Sequence, residues 1–297
     1  MPPLAVSNSS IPSLMVGLCQ IKTEEWAVDR NLRRTLEALN EAAAGGAELA
    51  ITPECVLNGY PGDQSPAARE RFGASAVFLD GPEMQEIRGA AAHHAMTVVL
   101  GIAERSAEGL IHNSAVAIDP RGELQAVYRK VHCRSFEDAS RDGIFTAGDS
   151  FSTFPVEGRE GSFTTGLMIC FDREIPESVR SLRALGSQLI ACPLATNTSS
   201  LEGSLKRADN EMITRARAAE NEVFIAVVNH AHRFNGGSFI VGPSGEVLTQ
   251  LGTEPEVAIV AVPLGIVPTR FHSNPLGWMG WGYRRPEIYD QYLAKKT

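Results

Sequence analysis

Cys170 stands where an apolar, strand-like run changes into a helix, a position from which a side chain can act on a substrate. The segment Phe163–Arg180, FTTGLMICFDREIPESVR, begins as a buried β-type run and restarts as a helix with Pro176 in its first turn. At such a junction a nucleophile projects into a cleft and the following N–H groups point into the same space, as in a nucleophile elbow. The alternative is a small core residue, because free cysteine is among the most buried residue types.

A thiol nucleophile needs a base or a cation that favours the thiolate. None of the seven histidines stands in a setting that singles it out. Lys130 does, since the chain has 22 Arg and five Lys and this lysine closes a β-type run directly after Arg129. An ammonium group can be desolvated and change its pKa as a guanidinium cannot, which is a reason to need lysine there. The alternative is an exposed lysine at a strand end.

Glu54 is the third candidate. It follows the short apolar run Leu49–Thr52 and opens a turn-rich loop, within TPECVLNGYPG at residues 52–62. A carboxylate at the end of a buried strand is either a capped structural group or one held for proton transfer, with its pKa set by burial.

These three residues, in this order, resemble the Glu–Lys–Cys triad of the nitrilase superfamily, the carbon–nitrogen hydrolases. PE followed by GYP, YRK-x-H before a loop that ends FTAGD, and ICFDREIPE are similar to successive motifs of that family. The resemblance continues through RARAAENEVFIAVVNH, GGSFIVGPSGEVL and YRRPEIYDQY, and covers about residues 14–292. Several linked motifs in order identify the chain as a member far better than any one of them.

The resemblance implies that Cys170 is the nucleophile and Glu54 the general base. It also implies that Lys130, with the N–H of Phe171, stabilises the oxyanion. These roles suit the chemistry, because attack on an amide carbonyl places negative charge on oxygen and the leaving ammonia must be protonated. An intact triad argues against the alternative of a non-catalytic binding or scaffold member.

The family also has a second glutamate in the loop after the lysine, thought to position the lysine and the substrate. Glu137 in SFEDASRDGIFTAGD is its natural match, although the loop is a few residues longer than usual, which leaves Asp138 and Asp142 open. Phe171 is a second departure, since many members have Trp or Tyr there. Its backbone role survives that change.

Family members cleave nitriles, simple amides, glutamine or N-carbamoyl amines, and CFDRE resembles the amidase and carbamoyl-amide members. The expected substrate is therefore a small amide or ureido compound, with a nitrile as the alternative. Arg173 either binds a substrate carboxylate through its planar fork or pairs with Glu174 or Glu177. Asn197 occupies a pocket-lining position in the resemblance. No metal or organic cofactor is implied.

Short β-rich runs alternate with helical patterns along the chain, which indicates an α/β protein. The predicted strands are Leu14–Ile21, Leu49–Thr52, Met96–Ile102, Ser114–Ile118, Phe163–Cys170, Leu189–Pro193 and Val223–Asn229. Helical spacing occurs at Leu32, Leu36 and Leu39, at Met84, Ile87 and Ala91, and from Leu205 to Ala219. Pro-containing turns at 119–122 and 242–245 predict two hairpins, and hence mixed sheets. The resemblance implies a four-layer α-β-β-α sandwich with two such sheets.

Composition limits the remaining possibilities. The 297 residues carry a net charge of −8 without a basic cluster, and no apolar run has the length of a membrane span. Neither nucleic acid nor a membrane is therefore an expected partner. Five scattered cysteines without a CxxC pair fit a reducing cytoplasm.

The domain organisation expected from the sequence is simple. Residues 1–13 lack the features of a signal peptide and are expected to form a disordered leader. Residues 14–297 contain no linker and are expected to form a single carbon–nitrogen hydrolase domain. The resemblance further implies a homodimer or larger homo-oligomer, paired through the helix that contains Pro176–Leu185 and through the C-terminal segment.

Overall fold

The computed structural model describes residues 11–61, 65–196, 210–234, 236–268 and 284–293. Its strands are β1 (Leu14–Gln20), β2 (Leu49–Ile51), β3 (Thr97–Arg105), β4 (Ile111–Ile118), β5 (Leu124–Arg129), β6 (Thr153–Gly158), β7 (Gly161–Leu167), β8 (Leu189–Pro193), β9 (Phe224–Val228), β10 (Phe239–Val241), β11 (Val247–Gln250) and β12 (Glu256–Val262). Its α-helices are α1 (Val28–Ala44), α2 (Pro66–Ala74), α3 (Pro82–His94), α4 (Pro176–Ala184), α5 (Asn210–Asn221) and α6 (Pro286–Leu293).

The strands form two six-stranded sheets. The first has the order β12-β1-β2-β3-β4-β5 and the second the order β11-β10-β9-β8-β7-β6. The central strands β1-β2-β3 and β7-β8-β9 are parallel, and the outer strands pair antiparallel. Both sheets are therefore mixed, as the hairpin turns predict.

Alternate residues of each strand face different layers, because the side-chain period of a strand is two. In β4, Ala115 and Ala117 belong to the core that also contains residues of the second sheet, whereas Val116 and Ile118 pack with α1 and α3. Helices α4 and α5 pack against the second sheet through three buried side chains, those of Val179, Leu182 and Ala218. The predicted four-layer α-β-β-α sandwich is confirmed.

Both predicted hairpins are present. Between β4 and β5, Gly122 donates its N–H to the backbone carbonyl of Asp119. Between β10 and β11, Gly245 donates its N–H to the carbonyl of Gly242, and both distances are 2.9 Å. Both glycines have a positive φ near +80°, which a glycine adopts without strain.

The sequence pattern missed β6 and β12. Each lies at an edge of its sheet, and β6 contains Pro155, a residue that argues against a central strand but is tolerated at an edge. The predicted strand Phe163–Cys170 ends earlier, at Leu167, because the chain then turns into the 3₁₀ helix Cys170–Glu174.

Two predicted segments lie largely or partly outside the described residues. Of the expected leader, only residues 11–13 are described, and they precede β1. Residues 205–209 of the predicted helix are also outside, and α5 begins at Asn210. None of the helices in the described part of the chain combines the length and the apolar character that crossing a membrane requires.

Candidate active site

The three candidate residues follow strands that end at the same edge of the sandwich. Glu54 comes three residues after β2, Lys130 directly after β5, and Cys170 three residues after β7. Ligands of open α/β sheets bind beyond the carboxyl ends of the strands, so this edge is where a site is expected.

Lys130 lies at the centre of a buried ion cluster with two glutamates. Its Nζ is 3.0 Å from Oε1 of Glu54 and 3.1 and 3.2 Å from the two carboxylate oxygens of Glu137. All three side chains are at most 2% exposed. The alternative of an exposed lysine at a strand end is therefore wrong.

The contact with Lys130 decides between the three acidic candidates of the following loop. Glu137 also accepts hydrogen bonds from the Tyr60 hydroxyl and from the Arg134 amide. Asp138 instead accepts from the Ser140 amide, and Asp142 is exposed on the surface. Glu137 therefore has the position expected of the second glutamate.

The two oxygens of the Glu54 carboxylate have different environments. Oε1 accepts from Asn113 Nδ2 at 2.7 Å and from Lys130 Nζ at 3.0 Å. Oε2 is buried and has no hydrogen-bond partner among the described residues. A carboxylate held by one oxygen, with the other free, is arranged to take up and return a proton.

Cys170 has the backbone of a nucleophile elbow. Its φ is +48°, in the left-handed region, and it begins the 3₁₀ helix Cys170–Glu174. The amide of Phe171 lies in the first turn of this helix, where N–H groups lack partners within the helix. The thiol Sγ is 3.6 Å from Oγ1 of Thr196, which lies three residues after β8.

Charge and burial set the protonation of the site at rest. Burial, and then the negative charge of Glu54, raise the pKa of the Cys170 thiol to about 12, so the thiol is neutral. Burial also raises the pKa of Glu54, although Lys130 opposes this. Burial disfavours the charged form of Lys130, but the carboxylates of Glu54 and Glu137 outweigh it and hold the pKa well above the ordinary value. The lysine therefore stays a cation, and the thiol needs a base when it attacks.

Asp172 connects the turn of the cysteine to the loop of the lysine. Its buried carboxylate accepts from the Ile169 amide, the His132 amide and the Tyr128 hydroxyl at 3.1, 2.9 and 2.7 Å. One side chain thus fixes the residue before Cys170 and the loop that follows Lys130.

Of the two expected substrate-binding residues, Arg173 is described and Asn197 lies outside the described residues. Arg173 is 1% exposed and donates from Nη2 to Asn210 Oδ1 at 2.6 Å. It forms no ion pair with Glu174 or Glu177, so that alternative is wrong. Its Nε and Nη1 have no hydrogen-bond partner within the described part of the chain.

Several residues that complete the site could not be predicted from the sequence. Asn113 points inward from β4, just before the predicted strand Ser114–Ile118, and Thr196 follows β8 without a motif that marks it. His230 ends the motif RARAAENEVFIAVVNH, but that motif does not indicate a contact with Glu54. Tyr60 lies in the GYP motif, but nothing in the sequence joins it to Glu137. These contacts link residues far apart in the chain, and tertiary packing alone creates them.

Comparisons with known proteins agree with this geometry. The sequence model of the family described as "Carbon-nitrogen hydrolase" matches residues 15–268. A protein of Pseudomonas protegens named "Hydrolase in pqqF 5'region" is 31% identical, with 98% of this chain and 95% of that protein covered. An (R)-stereoselective amidase of a Pseudomonas species is also 31% identical, with 84% and 85% covered.

A solved structure resembles the chain as well. It is a glutamate-to-glutamine mutant of the amidase from Nesterenkonia sp. AN1, with a TM-score of 0.72, 25% identity, and 95% of this chain and 98% of that chain covered. In it the acetamide moiety of fluoroacetamide is covalently added at the active-site cysteine.

Proposed function

The chain belongs to the carbon–nitrogen hydrolase family and is a cysteine-dependent amidohydrolase of its amidase branch, and we propose that Cys170, Glu54 and Lys130 carry out the hydrolysis. The observation that carries this assignment is the Glu54 carboxylate. Lys130 and Asn113 hold its Oε1, while its buried Oε2 is left without a partner among the described residues.

In the first half of the reaction, Sγ of Cys170 attacks the carbonyl carbon of the amide as Glu54 takes the thiol proton. The negative charge that develops on the carbonyl oxygen is stabilised by the ammonium of Lys130 and the N–H of Phe171. Glu54 then returns the proton to the leaving nitrogen, the C–N bond breaks, and ammonia leaves a thioacyl-enzyme.

In the second half, Glu54 takes a proton from a water molecule, whose oxygen attacks the thioacyl carbon. The C–S bond breaks, the proton returns to Cys170, and the carboxylic acid is released. Glu137 acts on this cycle through Lys130, since both of its carboxylate oxygens accept from the ammonium.

The substrate class is a small linear amide or N-carbamoyl amine, with a nitrile as the alternative. Ammonia release from aliphatic amides, N-carbamoyl amines and amino acids, glutamine and nitriles tests the proposal. Release from amides or carbamoyl compounds supports it, release from nitriles alone favours the alternative, and no release from any class contradicts it. Activity that requires a substrate carboxylate would make Arg173 a binding residue, because two of its buried nitrogens have no partner in the described part of the chain.

The pH dependence follows from the raised pKa of Glu54, which results first from burial. Glu54 must be ionised to accept the thiol proton, so activity falls as the pH drops through that pKa. On a neutral amide we expect the acid limb of kcat/KM to have its midpoint above about 4.3, the ordinary value for glutamic acid. A midpoint at or below that value, with the enzyme folded by circular dichroism, would argue against Glu54 as the base.

We also propose that the chain forms a homodimer or larger homo-oligomer through α4 and the C-terminal segment. Large apolar side chains are exposed on both, Leu185 directly after α4 at 52% and Tyr292 in α6 at 72%. Closed, symmetric homo-oligomers are the commonest way to cover such a surface. Sedimentation velocity should show a species of at least twice 32.0 kDa, and a monomer at all concentrations would overturn the proposal.

A cytoplasmic location is the remaining proposal. All five cysteines are free thiols, including the half-buried Cys133, and free thiols persist best in a reducing compartment. Fractionation of the source cells tests this, and recovery from an oxidising compartment would contradict it.

A further inference from the structure

His230 contacts the backbone of Glu54. It follows β9 and is fully buried, and its Nε2 is 2.7 Å from the carbonyl oxygen of Glu54. Its Nδ1 is 2.7 Å from the hydroxyl oxygen of Thr23, which follows β1. One side chain therefore joins the loops that follow three different strands, two in the first sheet and one in the second.

The partners of this imidazole determine its tautomer. A carbonyl oxygen only accepts, so Nε2 must carry the hydrogen that points at Glu54. Burial, reinforced by the positive charge of Arg233, lowers the pKa of His230 to about 3, so the ring is neutral. Nδ1 is then an acceptor, and the hydroxyl of Thr23 donates to it.

The backbone that His230 contacts is under constraint. Cys55, directly after Glu54, has a φ of +47°, a conformation that a residue with a Cβ adopts only when its surroundings enforce it. On the other side, a Cβ at Gly101 would lie 2.3 Å from the carbonyl oxygen of Pro53. The Glu54 amide makes a long hydrogen bond of 3.4 Å, to the Leu194 carbonyl.

We propose that His230, oriented by Thr23, is a positioning residue for the hydrolysis. It fixes the Glu54 carbonyl so that the carboxylate stays in register with Lys130 and Asn113. This role rests on the proposed function, because it assumes that Glu54 is the base. The imidazole does not touch the substrate and exchanges no proton during the cycle.

The test compares His230→Leu, which removes the donor, with His230→Gln, whose side-chain amide can still donate to the Glu54 carbonyl. Displacing a catalytic group by about 1 Å can lower the rate by roughly 100-fold. We expect His230→Leu to lower kcat by about that factor with KM little changed, and to shift the acid limb of kcat/KM. His230→Gln should recover most of kcat.

A control variant separates positioning from stability. Gln188 is also buried and donates to two backbone carbonyls, those of Leu264 and Val267, but it precedes β8, at the end of that strand away from the site. Gln188→Leu should lower the free energy of unfolding in urea while leaving kcat and the acid limb unchanged.

Three outcomes would overturn the positioning role in an active enzyme. The first is a folded His230→Leu variant with wild-type kcat. The second is a loss of kcat in Gln188→Leu as large as that in His230→Leu. If His230→Leu does not fold, Thr23→Val is measured in its place, because it replaces the hydroxyl that orients the ring with a methyl group. An unchanged kcat in Thr23→Val is the third outcome. A wild-type enzyme that hydrolyses no amide would instead refute the proposed function itself.

Discussion

Replacing Cys170 with alanine should reduce ammonia release by at least about 10⁴-fold and leave the fold intact, because it removes the sulfur that forms the thioacyl bond. The change removes a single sulfur atom from a side chain that is 7% exposed. Purified wild type and variant should be compared on the best substrate of the panel, with far-UV circular dichroism on both.

The matched control is Cys19→Ala. Cys19 is a fully buried free thiol in β1, in the layer that packs on α1. Its loss should lower the free energy of unfolding by about 1 kcal/mol without changing kcat. Activity retained in Cys170→Ala would refute the nucleophile assignment. Equal losses of activity in both variants would mean that the loss reflects destabilisation of the fold and not removal of the nucleophile.

Lys130→Arg should lower kcat by about 10³-fold, the loss expected when an oxyanion-stabilising donor is removed. The Nζ of Lys130 fits among three carboxylate oxygens at 3.0–3.2 Å, in a space that is fully buried. A guanidinium keeps the charge but is planar and larger, so it cannot occupy the same point between two carboxylates. Single-turnover acylation measured by quenched flow would place the loss in the first chemical step.

The neighbouring Arg129 supplies the control for this substitution. Its side chain is 39% exposed and pairs with Glu104. Arg129→Lys should keep kcat within a few-fold of wild type. If Lys130→Arg were nearly as active as wild type while folded, a general positive charge would suffice, and the specific oxyanion role of the ammonium would be wrong.

The sequence predicts the three residues of the proposed triad better than it predicts the side chains that contact them. Local patterns made Cys170, Glu54 and Lys130 candidates, because each stands at the end of an apolar run. Those patterns left a structural alternative open for each residue, and the resemblance to the family joined them into a triad. Helical and strand periodicity likewise predicted most elements, since periodicity reports which face is buried.

The side chains that contact these residues cannot be predicted from local sequence patterns. Asn113, Thr196 and His230 act through contacts between strands that are distant in the chain, and their residue types are ordinary for those positions. The alternative in which Arg173 pairs with a neighbouring glutamate is wrong for the same reason. Folding buries the guanidinium against Asn210, which a local pattern does not reveal.

The left-handed backbone at Cys170 has a consequence for the evolution of this fold. A residue with a Cβ at φ +48° costs roughly 1–2 kcal/mol that glycine would avoid. Selection for stability alone would therefore favour glycine at position 170, as it would at Cys55 and Ala95, whose φ values of +47° and +49° carry a similar cost. A lineage released from its catalytic duty could therefore gain stability by replacing this cysteine.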